Sequence, residues 1–212
     1  MDLNLALFHW LAAGQTPNPF VLPVAKLLAV YGPWLVVAVM AWQAWRRPAL
    51  RSYFFMLLVL AGCTSLLAHA IAGALQMPRP FMLGLGQQFI EHSGRGAMPS
   101  THAAVMSLVV AGFALRPELR KGWPALALAT LATCWGRIYV NVHFPFDVLG
   151  GMVLGASVML AARGAAAAYR AAVDALRPGK ARVPLRPSTV PWAQLRPDAG
   201  RRRGLKARSA PS

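Results

Sequence analysis

The stretch RIYVNVHFPFD, residues 137–147, places an arginine, a histidine and an aspartate between two long apolar segments. A charged group near lipid costs free energy, so it usually serves a function. Pro145 is suited to begin a helix, which would put Asp147 in the first turn and His143 just before it. The carboxylate could then hold one imidazole nitrogen and leave the other free to attack. By itself, such a pair is a weak indication of catalysis.

A second polar stretch, PSTHAAV at residues 99–105, precedes another apolar segment. Either Ser100 or Thr101 is predicted to cap a helix that begins here. Free backbone N–H groups at a helix N-terminus can bind an anion, and His102 would lie beside them in the first turn. The alternative interpretation is an ordinary cap followed by a histidine at the membrane interface.

A third stretch, MPRPF at residues 77–81, frames Arg79 between two prolines, which fix the backbone on either side. The planar guanidinium group can donate two hydrogen bonds at once to a phosphate. The alternative is an interfacial arginine whose head group extends to water.

The composition indicates a membrane protein. The 212 residues are 57% hydrophobic and only 13% charged, whereas soluble domains carry about 25% charged residues. The two cysteines, Cys63 and Cys134, lie in apolar segments and predict neither a disulfide framework nor a metal site.

The apolar segments predict an all-α fold, a polytopic membrane helix bundle with about five transmembrane helices. A spanning helix needs about 20 mostly apolar residues, and the candidates are 21–44, 52–76, 101–115, 122–141 and 147–169. The third is short, so it must extend into its flanks or lie among the other helices. Residues 3–13 are too short to span and predict an interfacial N-terminal helix, with Trp10 at headgroup depth. In the fifth span, Gly151 and Gly155 are spaced for close helix packing.

The basic residues predict the orientation. They fall between spans one and two, between spans three and four, and after span five, namely Arg46, Arg47, Arg51, Arg116, Arg120, Lys121 and the C-terminal tail. The positive-inside rule makes that side cytoplasmic, so the three polar stretches face outward. Residues 1–175 are predicted to form the membrane domain. Residues 176–212 form a basic, proline-rich tail, predicted to be disordered, cytoplasmic and in contact with anionic headgroups rather than nucleic acid.

Together, the outward stretches supply two arginines, two histidines, a helix N-terminus and one carboxylate. Attack on a phosphate ester needs this set. Positive donors stabilise the equatorial oxygens of the phosphoryl group. One histidine can attack while the other protonates the departing oxygen.

These motifs resemble the type-2 phosphatidic acid phosphatase superfamily, whose signature is Lys-x6-Arg-Pro, Pro-Ser-Gly-His and Ser-Arg-x5-His-x3-Asp. The corresponding stretches here are AGALQMPRP, PSTH and GRIYVNVHFPFD, and the resemblance covers roughly residues 50–165. It implies that His143 is the nucleophile, forms a phosphohistidine and is oriented by Asp147, with His102 as general acid. It also implies no metal or other cofactor, and phosphoryl oxygens bound by Arg79, Ser100, Thr101 and Arg137.

Three positions depart from the signature. Ala72 stands where the family has its lysine, Gly136 replaces the serine before Arg137, and Thr101 replaces a glycine. The missing lysine removes one phosphate contact. We hypothesise that Arg95, in the loop at 82–98, supplies the lost charge, in which case Arg95→Ala changes activity or KM.

The stretch PRPFMLGLGQQFIEH, with PSTHA and VHFPFDVLGG, also resembles a narrower group, the bacitracin-resistance-type undecaprenyl-diphosphate phosphatases. These recycle the lipid carrier of wall synthesis at the outer face of the bacterial inner membrane. By this resemblance, Glu91 and His92 belong to the substrate loop.

Other functions stay open at this stage. A phosphatidylglycerophosphate or phosphatidic acid phosphatase, or a lipid phosphotransferase, would use the same motifs. A transporter would need polar groups along the middle of the spans and broken helices in matched halves, neither of which the sequence contains. The departures at Ala72 and Gly136 keep a catalytically inactive scaffold with a basic tail under consideration. The soluble vanadium haloperoxidases share the motifs, but the apolar spans argue against them.

Overall fold

The computed structural model describes residues 3–92, 94 and 96–176, and within these residues every regular element is helical. The α-helices are α1 (Leu3–Leu11), α2 (Val21–Arg46), α3 (Arg51–Leu75), α4 (Thr101–Ala114), α5 (Trp123–Tyr139) and α6 (Pro145–Ala175). The all-α prediction is therefore confirmed. The chain divides into two units between Arg170 and Ala171. The predicted tail lies outside the described residues except for Leu176.

Among the described residues, three helical segments are long and apolar enough to cross a membrane: 21–46, the segment 48–83 that contains α3, and 145–175. Helix α4 has 14 residues, about 21 Å at 1.5 Å per residue, which is shorter than a hydrocarbon core of about 30 Å. Most of its side chains are buried, as expected for a short helix among longer ones. Helix α5 has 17 residues. The number of spans stays a prediction, while the membrane-bundle class is confirmed.

Close packing of α6 on α4 depends on the predicted glycine pair. A β-carbon on Gly151 would meet the carbonyl oxygen of Ser100, and one on Gly155 would meet that of Ala104. Because no side chain separates the two helices at these points, the start of α6 lies directly against the start of α4. The backbone N–H of Ser100 donates to the carbonyl oxygen of Asp147 at 2.8 Å, which fixes the same register.

Helix ends place the three polar stretches at one end of the bundle. Helix α3 ends at Leu75, and Gln76 turns the chain in the left-handed region, with φ 48°. Ser100 is the N-cap residue of α4 in extended conformation. Helix α6 begins at Pro145, with Asp147 in its first turn, as the sequence predicts.

The N-terminal helix packs on the turn that precedes α6. The fully buried ring of Phe8 lies 5.1 Å from that of Phe144, and the backbone N–H of Phe146 donates to Oδ1 of Asn4 at 3.0 Å. Trp10 is 81% exposed, consistent with the predicted interfacial position. Helix α1 therefore supports the segment that carries His143 and Asp147.

Candidate active site

His143 lies in the turn between α5 and α6 and is only 2% exposed. Its Nδ1 is 3.6 Å from Oδ2 of Asp147, and the same oxygen accepts the backbone N–H of Phe144 at 2.8 Å. Such contacts are often long in a site without substrate and tighten when it binds. The histidine and aspartate predicted to pair are thus adjacent, with the carboxylate fixed by the turn itself.

Arg79 approaches His143 from the opposite side. Its Nη1 donates to the carbonyl oxygen of Val142 at 2.8 Å and lies 3.4 Å from Nε2 of His143 and 3.5 Å from its Nδ1. Its Nη2 donates to the carbonyl oxygen of Gly96 at 3.2 Å. Because Nη1 is nearly equidistant from the two ring nitrogens, it lies over the face of the imidazole rather than on an in-plane lone pair. With Nδ1–H directed to Asp147, the ring lone pair is on Nε2. The buried position of Arg79 rules out a head group extended to water.

The electrostatic surroundings keep His143 neutral. Burial is the largest cause that lowers the pKa of His143 well below its ordinary value of 6.5, and the positive charges of Arg137 and Arg79 lower it further. A neutral imidazole keeps the lone pair that a nucleophile needs. The same arginines that would bind a phosphate therefore also preserve the attacking form of the ring.

Arg137, in the last turn of α5, is only 2% exposed. Its Nη1 donates to the carbonyl oxygen of Ala29 at 3.3 Å and lies 3.5 Å from Nε2 of His102. Within the part of the chain that the structure describes, its Nε and Nη2 have no hydrogen-bond partner. Leaving a buried charged donor unpaired costs more than leaving a neutral one unpaired. These two atoms are therefore free to bind an anion.

Ser100 corrects one prediction. It is the N-cap residue of α4, but its hydroxyl makes no capping hydrogen bond. The Oγ atom is fully buried and has no partner among the described residues. The serine was predicted as a cap because its position in the sequence fits one. The backbone of Ser100 is extended, as is usual for an N-cap residue, yet its hydroxyl makes no hydrogen bond to the first turn of α4.

A cavity of about 400 Å³ opens beside these groups. Of the predicted residues, it is lined by Arg79, His92, Thr101, His102 and His143. The ring of His92 lies 5.9 Å from that of His143 in an edge-to-face arrangement. The structure thus brings five of the ten predicted residues to one concave surface.

The other predicted residues that the structure describes do not line this cavity, although Asp147 and Arg137 contact residues that do. Asp147 lines a neighbouring, mostly apolar cavity, and neither Ser100 nor Arg137 is among the lining side chains of the first cavity. Glu91 is exposed. Arg95 lies outside the described residues, so its proposed compensation for the missing lysine stays a prediction. Among the described residues, no three metal-ligating side chains cluster together.

Two cavity residues were missed in the sequence. His69 and Gln76, both on α3 or at its end, line the same wall as Ala72. Their spacing, three and four residues from Ala72, places all three on one helix face. The sequence therefore contained an indication of this wall, because polar residues recur on the helix face where the family has its lysine.

Asn141 is a third missed residue and connects distant segments. Its backbone is left-handed, with φ 64°, and its side chain is fully buried. Nδ2 donates to the carbonyl oxygens of Gly14 at 3.1 Å and Gln87 at 2.9 Å. It holds the segment after α1 and the loop before His92 against the turn that carries His143. Left-handed backbone favours asparagine among residues with side chains.

The departure at Gly136 has a steric cause, from which a prediction follows. A β-carbon there would lie 2.8 Å from the carbonyl oxygen of Ala25 and 3.1 Å from the nitrogen of Ala29, both backbone atoms of α2. Restoring the motif serine by Gly136→Ser is therefore expected to lower stability by about 1–3 kcal/mol, measured as a fall in Tm in detergent.

Gly164→Ser is the matched control, because open space surrounds that glycine. Equal Tm values for the two variants would contradict tight packing of α5 on α2.

Two bacterial proteins are similar to this chain in sequence. YbjG of Escherichia coli (strain K12), named as an undecaprenyl-diphosphatase, is 28% identical over 158 residues, which cover 73% of this chain and 78% of that protein. Undecaprenyl-diphosphatase BcrC of Bacillus subtilis (strain 168) is 35% identical over 77 residues, covering 36% of this chain and 39% of BcrC.

Two solved structures share the fold. LpxE of Aquifex aeolicus matches with a TM-score of 0.58 and 19% identity, covering 76% of this chain and 94% of that one. A PAP2-type phosphatidylglycerolphosphate phosphatase of Bacillus subtilis matches with a TM-score of 0.57 and 18% identity, covering 76% and 83%. Residues 49–170 match the PAP2 superfamily, a span that holds all three motifs. The chain therefore belongs to the PAP2 superfamily of membrane lipid phosphatases.

Proposed function

We propose that this protein hydrolyses undecaprenyl diphosphate to undecaprenyl phosphate and phosphate at the outer face of the bacterial inner membrane. The observation that carries the proposal is the set of buried hydrogen-bond donors beside a neutral histidine. Arg137 Nε and Nη2 and Ser100 Oγ are buried without partners among the described residues, and Arg79 lies against the ring of His143. A phosphoryl group would satisfy them.

The reaction proceeds in two steps. Nε2 of His143 attacks the terminal phosphorus, the bond to the bridging oxygen breaks, and His102 gives its proton to that oxygen as undecaprenyl phosphate leaves. Water then attacks the phosphohistidine, its proton passes to His102, and the N–P bond breaks to release phosphate. Nε2 of His102 lies 3.5 Å from Nη1 of Arg137, so the proposed general acid would lie beside the guanidinium that binds the phosphoryl group. Arg79 and Arg137 stabilise the equatorial oxygens in both steps.

The choice of lipid rests on the relatives. YbjG and BcrC are both named as undecaprenyl-diphosphatases. The alignment with YbjG covers most of this chain and most of YbjG. The outward orientation rests on the basic connections at the opposite end of the helices. By the same rule the tail lies in the cytoplasm, near anionic headgroups.

The test is phosphate release by the detergent-purified protein from undecaprenyl diphosphate, phosphatidic acid and phosphatidylglycerophosphate, each with and without a chelator. We expect release from undecaprenyl diphosphate to exceed that from the other two, undiminished by chelation. A preference for either phospholipid would replace the proposed substrate. Transfer of phosphate to an added lipid alcohol would identify a phosphotransferase. No phosphate release from any of the three substrates would favour the catalytically inactive scaffold.

The pH dependence of kcat/KM is expected to keep its acidic limb below pH 6.5. Because burial and two arginines lower the pKa of His143, the nucleophile stays neutral at pH values where an ordinary imidazole is protonated. In the unfolded chain the ring regains its ordinary pKa, so the stability that His143 contributes falls as the pH drops below about 6.5. The measurement is kcat/KM against pH, beside a phosphorus NMR titration of the free substrate. An acidic limb at 6.5 or above that the substrate does not share would contradict the assignment.

A further inference from the structure

We propose that His69 binds the phosphate of the substrate in place of the lysine that the family signature has at position 72. This inference rests on the proposed function, because it concerns the same cavity. It assigns a residue outside the three motifs, and it accounts for how the chain tolerates alanine at a phosphate-binding position.

The first support is position. His69, Ala72, Gly73 and Gln76 line one wall of the cavity that Arg79, His102 and His143 line from other sides. Ala72 itself is covered by the loop, because a β-carbon on Gly96 would meet the carbonyl oxygen of Ala72. Nothing lies within 4 Å of a β-carbon built on Gly73. The small residues therefore leave the space along this wall open to the longer side chain one turn away.

The second support is the orientation of the ring. Nδ1 of His69 lies 2.7 Å from the carbonyl oxygen of Ser65. A carbonyl oxygen can only accept, so Nδ1 carries a hydrogen and Nε2 is the atom left for a ligand. With a hydrogen on both nitrogens, the ring offers an N–H at Nε2 and makes a charge-assisted hydrogen bond to a phosphate oxygen. As an imidazolium, His69 would therefore supply a cation on the helix where the family has its lysine.

The third support is the charge of the cavity. Arg79 and the imidazoles of His92, His102 and His143 face it from the other elements. This lining suits an anion, and His69 adds a ring nitrogen from α3, the helix on which the family has its lysine.

The test compares His69→Ala with the double variant His69→Ala/Ala72→Lys on undecaprenyl diphosphate. We expect His69→Ala to raise KM about ten-fold or more with little change in kcat, since it removes one charge-assisted hydrogen bond. The lysine of the double variant should return KM to within about three-fold of the wild type. His9→Ala, an exposed histidine on α1, is the matched control.

A purely structural histidine would not behave this way, because a lysine one turn away cannot replace its bond to Ser65. An unchanged KM in His69→Ala overturns the proposal, as does failure of the double variant to restore KM while its Tm matches the wild type. If the double variant does not fold, His69→Lys decides the question, since it keeps a cation on the same residue. Its KM should stay within about three-fold of the wild type, and a KM as high as that of His69→Ala would overturn the proposal.

The proposal can be separated from the choice of substrate. Binding of inorganic phosphate to the detergent-purified protein is measured by calorimetry for the wild type, His69→Ala and the double variant. If undecaprenyl diphosphate is not hydrolysed but His69→Ala weakens phosphate binding and the double variant restores it, the proposed function fails and the role of His69 stands. Equal phosphate affinity in all three proteins overturns the role of His69, whichever lipid is hydrolysed.

Discussion

His143→Ala is expected to lower kcat for phosphate release by about four orders of magnitude or more. In enzymes with a covalent nucleophile, removing that residue costs nearly the whole chemical acceleration. Here the ring is held between the carboxylate of Asp147 and the guanidinium of Arg79. The measurement is single-turnover phosphate release, together with alkaline trapping of phosphohistidine on the wild-type protein.

The control for His143→Ala is His9→Ala, which should release phosphate at the wild-type rate. Matching Tm values would exclude unfolding as the cause of the loss. Retention of more than about a tenth of the wild-type kcat by His143→Ala would overturn the covalent mechanism. Trapped phosphoenzyme in the variant would move the nucleophile to another residue, with His102 the first to examine.

Arg137→Met is expected to lower kcat by about 100-fold to 1,000-fold, as loss of an oxyanion donor does elsewhere, and not to lower the Tm. The guanidinium is buried and, in the described residues, has no carboxylate partner and two unpaired nitrogen atoms. A buried charge in that state is costly, and an apolar side chain of similar volume removes the cost. Activity and stability should therefore change independently or in opposite directions.

Two further variants sharpen this result. Arg137→Lys keeps the charge but loses the planar fork, so its activity should fall between those of the wild type and Arg137→Met. Arg163→Met, at an exposed arginine that donates to the carbonyl oxygen of Leu115, should leave kcat unchanged. If Arg137→Met showed a large fall in Tm, and its loss of activity matched the loss of folded protein, Arg137 would be a structural residue.

The sequence predicted the site well where its geometry is local. His143 and Asp147 are four residues apart across a helix start that Pro145 fixes, so their adjacency follows from the chain itself. Arg79 lies between prolines that restrict its backbone. The starts of α4 and α6 were predicted for the same reason, and the glycine pair of α6 predicted its close packing correctly.

The sequence failed where a distant neighbour decides the structure. Gly136 is a glycine because α2 passes within contact distance of it, a fact that only the packed bundle contains. Ser100 looks like a cap, yet its hydroxyl is left unused by the backbone that surrounds it. His69 and Gln76 belong to none of the three motifs, so only the helix face that they share with position 72 indicates their place in the cavity.

The two hydrogen bonds donated by the Asn141 side chain affect how segments of this protein can be exchanged with those of its relatives. The Asn141 amide group donates to the carbonyl oxygens of residues 14 and 87. It therefore joins three segments that are far apart in the chain: the segment after α1, the loop before His92 and the turn after α5. An exchange of the loop at 82–92 alone would break that connection even if every motif residue were retained. Chimaeras built to transfer lipid preference should therefore move the N-terminal segment, the loop and the turn at 140–143 together as one cassette.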